Sequence, residues 1–342
     1  MKKYKQPLVS VVIPTFNRPH YFKQALESAL NQTYRNIEVV VSDNSTNDET
    51  ENLVKKYFSK DKRVKYFHHK DFSADDNFNW VRHYDNPKAE YVNFLMDDDL
   101  FYPEKISRMI EIYLNKQGIS LVTSRRNFID ENSKIVYKLF KVVNQTCKVP
   151  REIAARLLFQ NHQRLLLKFK EPDDYLLGEF TNDNYIGGLT DVLIRKKFLR
   201  GNDLCWFDDE KGFYPLADVS TWLQLLTKGD MYWIDEPLSS TRLHSAQATH
   251  LFGNKAAVAI YWAKLIKYCW ENKIFLDVES ETRLAFFNWI NIAVNSFSAV
   301  PNPNYYEEET ALEDLNIAMA EALHNGCQIN FPPSVQVILK NL

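Results

Sequence analysis

Asp97-Asp98-Asp99 follows directly on the apolar run Tyr91 to Met96 (YVNFLM), so three adjacent carboxylates are delivered by a segment with the composition of a buried strand. Neighbouring carboxylates repel one another, and a hard divalent cation relieves that repulsion by taking their oxygens as ligands. An isolated acidic triplet in a loop is more often a solvated turn, but delivery by an apolar strand favours the metal. Mg²⁺ or Mn²⁺ held there acts as a Lewis acid on the leaving oxygens of a nucleotide diphosphate without needing a proton donor. Neither G-x-x-x-x-G-K nor G-x-G-x-x-G occurs, and only 9 of 342 residues are Gly, so the Gly-rich phosphate cradles are missing and phosphate must be held another way.

The elements that must position these groups alternate. Leu8 to Ile13 and Ile37 to Val41 are continuous β-branched runs ending in polar turn chemistry. Between them Pro19 opens a helix whose Phe22, Ala25, Leu26, Ala29 and Leu30 form one apolar stripe. Glu49 to Phe58 predicts a second helix, Val64 to His68 a short strand, and Tyr91 to Met96 a fourth strand. Such alternation implies an α/β domain on a mostly parallel sheet covered on both faces, and ligands of such sheets bind at the carboxyl ends of the strands. Thr15, Asn17 and Arg18, then Asp43 and Asn44, then the acidic triplet all fall at those ends and should converge.

Farther on, Ser120 to Ser124 and Leu189 to Ile194 predict strands, Arg151 to Phe159 and Val219 to Leu226 helices, and Met231 to Ile234 a last strand stopping before Pro237. From about Lys255 the pattern becomes helical over Ala256 to Trp270, Glu279 to Phe297 and Glu307 to Leu323, whose aromatics at helical spacing read as its core. The expected division is an α/β domain over residues 1–250 and a helical extension over 251–342.

Composition excludes several classes. With 42 Lys plus Arg against 44 Asp plus Glu, a formal charge of -2 leaves no excess to grip a polyanion, so a nucleic-acid partner is not expected. Cys147, Cys205, Cys269 and Cys327 lack C-x-x-C spacing and suit reduced thiols of a cytoplasmic protein. The Leu8 to Ile13 run is too short for a signal peptide, and no stretch reaches the roughly 18 to 20 apolar residues of a spanning helix. Peripheral contact with the inner face of the cell membrane stays open.

The linked segments Val9-Ser-Val-Val-Ile-Pro-Thr-Phe-Asn-Arg18, Ala29-Leu-Asn-Gln-Thr-Tyr34, Ile37-Glu-Val-Val-Val-Ser-Asp-Asn-Ser45 and Glu90-Tyr-Val-Asn-Phe-Leu-Met-Asp-Asp-Asp99 resemble the family 2 glycosyltransferases with the GT-A fold. The resemblance is close over about residues 7 to 110 and loose to about 245. It implies an inverting transferase that uses a nucleotide diphosphate sugar, a UDP-sugar ahead of dTDP- or GDP-sugars, with Mn²⁺ or Mg²⁺. The acceptor hydroxyl would belong to a glycan, a lipid-linked glycan or a protein in bacterial surface glycan or glycoconjugate synthesis.

Residue by residue, the resemblance puts Pro14, Thr15 and Phe16 in the base pocket and Asp43 on the base, with turn capping as the plain alternative for Thr15 and Asp43. Arg18 would face the diphosphate, or solvent. Asp97 would approach the ribose and Asp98 the metal, with Asp99 sharing or replacing that role. Asn77 and Asn79 sit where such enzymes approach nucleotide or donor sugar, helix capping by Asp75 or Asp76 being the alternative.

An inverting reaction needs a carboxylate to take the acceptor proton, and Asp218 matches the second acid of the usual E-D pair, although Ala217 replaces the Glu and Asp218 could instead cap the helix that follows. It is preferred over the surface-like run Asp208, Asp209 and Glu210. Ser240-Thr-Arg-Leu-His244 resembles the family's R-x-H element, giving His244 to the metal and Arg242 to phosphate, against a structural histidine. Gly187-Gly188 would let backbone approach a sugar or acceptor closely, or simply turn. Two other functions compete: a sugar nucleotidyltransferase, which the glycine-free Pro14 to Arg18 loop disfavours, and a non-catalytic binding or assembly module, which Ala217 and the helical tail suggest.

Overall fold

The computed structural model describes residues 6–138, 146–159, 184, 186–199, 216–244 and 255–275. The chain opens as β1 (Leu8–Thr15), α1 (Pro19–Leu30), β2 (Ile37–Asp43), α2 (Glu49–Tyr57), β3 (Val64–His68), α3 (Ala74–His83) and β4 (Ala89–Phe94). It continues as β5 (Leu100–Phe101), α4 (Lys105–Asn115), β6 (Ile119–Ile129), β7 (Ile135–Lys138), β8 (Cys147–Val149) and α5 (Arg151–Phe159). Then come β9 (Leu193–Arg195), α6 (Ala217–Leu226), β10 (Asp230–Arg242) and α7 (Lys255–Glu271).

The described strands form one ten-stranded sheet in the order β3-β2-β1-β4-β9-β6-β10-β5, with β7 added to β6 and β8 to β10. β3, β2, β1 and β4 are parallel, as are β6 and β10, while β9 runs antiparallel between β4 and β6. The expected mixed, mostly parallel GT-A-like α/β sheet flanked by helices is therefore what the chain builds.

Because both faces are covered, alternate residues of one strand enter different cores. Val9, Val11 and Ile13 pack with Phe22, Leu26 and Ala29 of α1, Val54 of α2 and Ile106 and Met109 of α4. Val12, Val40 and Phe94 face a second core with Val81 of α3, Ala154 and Leu158 of α5, and Val219, Trp222 and Leu226 of α6. Trp262, Leu265, Ile266 and Cys269 of α7 lie in that same core, so the helix following residue 250 shares apolar packing with the sheet domain. The expected helices at 279–297 and 307–323, Cys205, Cys327 and the Asp208 to Glu210 run lie outside the described residues.

Two boundaries differ from the sequence expectation. β10 does not stop before Pro237 but continues to Arg242, with its register against β6 shifting on both sides of that proline. A proline lacks the N–H of a regular ladder and is accommodated at such an irregularity. The expected strand at Leu189 to Ile194 shrinks to Leu193–Arg195, because Thr190 and Asp191 are spent on the contacts described below.

Candidate active site

The parallel register aligns Thr15 at the end of β1 with Asp43 at the end of β2, and the Asn44 N–H donates to the Thr15 carbonyl at 3.2 Å. Asn17 then turns the chain with φ of 51°, a left-handed conformation that Asn tolerates better than most residues. Its backbone N–H donates to Ser45 Oγ at 2.8 Å, and its Oδ1 accepts from the Thr46 N–H at 3.0 Å. The turn sets Arg18 immediately ahead of α1, whose first residue is Pro19.

Arg18 is the hub. One Nη lies 3.0 Å from Asp97 Oδ1 and the other 2.9 Å from Asp98 Oδ2. Asp97 Oδ2 also accepts from the Thr15 hydroxyl at 2.8 Å. On the far side His244 Nε2 lies 3.0 Å from the same Asp98 Oδ2. Thr15, Arg18, Asp97, Asp98 and His244 are thus gathered at one place from β1, the β4 exit and the end of β10.

The three carboxylates differ in environment. Burial pushes Asp97 up to about 7, against the opposing pull of Arg18. Burial also raises Asp98, but the His244 hydrogen bond and the Arg18 charge outweigh it and hold that carboxyl below the ordinary range. Asp99 is raised well above it by burial and by the Asp98 charge. Asp99 Oδ2 accepts from Thr190 Oγ1 at 2.6 Å and its Oδ1 from the Arg242 N–H at 3.0 Å, so both oxygens serve the scaffold. Asp98 Oδ2 is thus shared between the Arg18 guanidinium and His244 Nε2, which sets a carboxylate oxygen and an imidazole nitrogen side by side.

Arg242 does not take the expected phosphate-contacting arrangement. It is fully buried, and its Nε donates to the Asp98 carbonyl at 2.8 Å. Nη1 donates to the carbonyls of Asp130 and Glu131, and Nη2 to Gln24 Oε1. Its guanidinium carbon sits 4.7 Å above the Tyr21 ring, which also contacts the His244 ring. The side chain locks the Asp98 backbone to the neighbouring hairpin.

The base-pocket candidates divide. Phe16 is 46% exposed, whereas Pro14 is buried. Asp43 is 0% exposed, with Oδ1 accepting from the Ser45 N–H at 2.7 Å and Oδ2 from the Tyr66 hydroxyl at 2.5 Å, the turn-closing role weighed beside base recognition. Asn77 is buried and ties α3 to β2: Oδ1 accepts from Ser42 Oγ, and Nδ2 donates to the Ser42 carbonyl and Asn44 Oδ1. Asn79 is exposed. The cap of α3 is Ser73, with Asp76 completing the capping box and Asp75 in the same first turn.

Asp218 sits in the first turn of α6, one residue beyond the first helical position, and the cap position is Leu216. Asp218 is not at the cap position itself, but its Oδ1 accepts from the Val219 N–H at 2.7 Å, so it satisfies a donor of the first turn. Burial pushes its carboxyl up to about 6, opposed by the Val219 N–H, by Asn184 and by the Arg126 charge. Asn184 Nδ2 reaches Asp218 Oδ2 at 2.7 Å and the Gly187 carbonyl at 2.8 Å. Since Thr190 in the same segment holds Asp99, the stretch from residue 184 to residue 190 joins the acidic cluster to Asp218.

The pair Gly187-Gly188 does permit a close approach, but of side chains. Gly187 has φ of 109°, and a Cβ there would lie 2.3 Å from Asp191 Oδ2 and 2.6 Å from Arg126 Nη1. Asp191, 0% exposed, accepts from Arg126, the Gly188 N–H and Ser239 Oγ. Asn184, Thr190, Asp191 and Arg126 escaped the sequence reading, and the glycine pair beside them was the one local signal of crowding.

The model of the family described as Glycosyl transferase family 2 matches residues 10–174. An uncharacterized glycosyltransferase of Rickettsia typhi is 30% identical over 251 residues, 71% of this chain and 66% of the relative. The GalNAc(5)-diNAcBac-PP-undecaprenol beta-1,3-glucosyltransferase of Campylobacter jejuni is 32% identical over 131 residues, 37% of this chain and 42% of the relative. The chain spans between 19% and 66% of the length of the first three curated relatives it matches. Among solved structures, S. aureus TarS 1-349 superposes with a TM-score of 0.59 at 15% identity, covering 91% of this chain and 80% of TarS. Its complex with UDP-GlcNAc gives 0.52 at 15% identity, covering 95% and 93%. At that identity the likeness speaks for the fold.

Proposed function

The chain belongs to the family 2 glycosyltransferases, and from that premise we propose that it transfers a sugar from a nucleotide diphosphate donor, a UDP-sugar, to an acceptor hydroxyl with inversion. The observation that carries the reading is the shared Asp98 Oδ2, set between the Arg18 guanidinium and His244 Nε2 at the carboxyl edge of the sheet. The UDP-GlcNAc complex of TarS supports the donor class, and the undecaprenol-linked acceptor in the Campylobacter relative's name supports a lipid-linked or other surface glycan acceptor. No described helix is long and apolar enough to cross a membrane. In this reading a lipid-linked acceptor is met by peripheral contact at the inner face of the cell membrane, and residues 1–250 carry transfer.

The residues divide the work by chemistry. Asp98 and His244 hold the divalent cation, and Asp99 keeps Asp98 in place through Thr190 and the Arg242 backbone. A bound Mn²⁺ or Mg²⁺ supplies the positive charge that stabilises the departing diphosphate. Arg18, one-third exposed, adds a fixed guanidinium facing the same leaving group. Thr15 and Phe16 flank the base, Asp43 shapes the turn beneath it, and Asp97 faces the ribose. Asp218 takes the proton of the acceptor hydroxyl as its oxygen bonds to the anomeric carbon and the bond to the diphosphate breaks. A carboxyl with a value of about 6 is ionised at neutral pH yet more basic than an ordinary aspartate, as that role requires.

The test is nucleotide release from a panel of UDP-, dTDP- and GDP-sugars with and without Mn²⁺, on wild type, Asp98→Asn and Asp99→Asn. Wild type should prefer a UDP-sugar and need metal, Asp98→Asn should raise the Mn²⁺ requirement at least tenfold, and Asp99→Asn should act chiefly on stability. Release that ignores metal, or an Asp98→Asn chain with wild-type metal dependence, refutes the assignment.

A further inference from the structure

Asn184 has an unusually complete set of partners for an amide outside regular structure. Its Nδ2 donates to Asp218 Oδ2 at 2.7 Å and to the Gly187 carbonyl at 2.8 Å, while its Oδ1 accepts from the Gly187 N–H at 3.2 Å. Two acceptors face the nitrogen and a donor faces the oxygen, so the amide orientation is dictated by its neighbours. The Gly187 carbonyl takes a second donor, Trp222 Nε1 at 2.8 Å. Asp218 and Trp222 are four residues apart on α6 and therefore lie on one face, one helical turn apart. Asn184 and Gly187 are thus each pinned to that face, Asn184 to Asp218 and Gly187 to Trp222.

Resting on the proposed role of Asp218 as the base, we propose that Asn184 is a positioning residue that clamps the Asp218 carboxylate and sets the pH at which it ionises. Asp218 Oδ1 is already turned inward by the Val219 N–H at 2.7 Å. The Asn184 amide fixes Oδ2 and, by donating to it, favours the ionised form. Among the described residues, Arg126 on β6, itself paired with Asp191, is the charged group that faces Asp218. From Gly187 the chain runs on through Gly188 to Thr190 and Asp191, and Thr190 holds Asp99. Asn184 on Asp218 and Thr190 on Asp99 thus link the proposed base to the acidic cluster through residues close together in the chain.

The experiment compares wild type, Asn184→Ala, Asn184→Asp and Asp218→Asn by the pH dependence of kcat/KM for UDP release from UDP-GlcNAc with Mn²⁺, alongside UDP affinity and thermal midpoints. Asn184→Ala should move the acidic limb upward by about one unit, a loss of about fivefold at pH 6 that approaches tenfold at lower pH, with UDP affinity unchanged. Asn184→Asp keeps the shape but sets a second carboxylate against the base, so its limb should move farther and activity should recover as pH rises. Asp218→Asn should abolish release at every pH. Asn184 variants that lose activity evenly across pH with the limb unmoved overturn the positioning role while the base reading stands. If Asn184→Ala fails to fold, the isosteric Asn184→Asp alone decides. An Asp218→Asn chain that still turns over removes the base and this inference together.

Discussion

Replacing Gly187 with alanine should be among the most damaging single-methyl changes in the described residues, and the adjacent Gly188→Ala should be nearly silent. At Gly187 the added carbon would meet Asp191 Oδ2 at 2.3 Å and Arg126 Nη1 at 2.6 Å, in a backbone with φ of 109°. The neighbours cannot retreat cheaply, because Asp191 is fully buried and bonded to Arg126, Gly188 and Ser239. Backbone strain of about 1–3 kcal/mol and overpacking of about 1–3 kcal/mol give roughly 2–6 kcal/mol. With an unfolding entropy of about 2.1 cal/mol/K per residue, that is a fall of roughly 3–8 °C in a cooperative melt of this chain. At Gly188 nothing lies within 4 Å of the added carbon. Differential scanning calorimetry of both variants, with UDP release on the same samples, reads the contrast. Gly187→Ala should also lose activity beyond its stability loss, since the turn that holds Asp218 shifts. Equal melts for the two variants would refute the close approach and the network built on it.

Three other outcomes are expected. Lys105 is 0% exposed and burial pushes its amine down to about 7, so between pH 7 and its ordinary value of 10.5 the unfolded chain binds a proton that the folded chain does not. Its contribution to stability therefore rises with pH across that window, by up to about 4–5 kcal/mol, and Lys105→Met should be more stable near neutrality with a flatter pH profile; melts of the two chains that stay parallel would contradict this. Arg242→Lys should lower the thermal midpoint by several degrees, because one ammonium cannot replace a guanidinium shared among the Asp98 loop, the β6–β7 turn and α1, whereas a phosphate contact would predict weaker UDP binding at an unchanged midpoint. Since the base must be ionised, kcat/KM should rise about tenfold per pH unit up to about pH 6 and then level, and an acidic limb near pH 4 would deny Asp218 its elevated value.

Sequence periodicity was sufficient for β1, α1 and β2 because both faces of those strands are buried, and a doubly buried strand writes an uninterrupted apolar run such as Val39 to Val41. The acidic triplet was legible as a site for the same reason. Which of its carboxylates is tied to the scaffold was not, since that depends on Thr190 and the Arg242 backbone, 91 and 143 residues away along the chain. The buried position of Arg242 was not legible either, because its residue type suits phosphate equally well as a buried hub, and its carbonyl partners at Asp130 and Glu131 are far away in the chain. The antiparallel insertion of β9 and the run of β10 through Pro237 are long-range pairings without a local signature.

The late strand β9 also constrains how a nascent chain can mature. β4 pairs on one side with β1, but its other edge, at Tyr91 and Val92, is completed by Arg195 and Ile194, about 100 residues downstream. At a synthesis rate of about 5–20 residues per second, that edge waits on the order of 5–20 s on the ribosome with unpaired backbone groups. Until β9 emerges, the free edge of β4 presents unpaired backbone groups of the kind that favour pairing with other chains, so the sheet is completed late in synthesis.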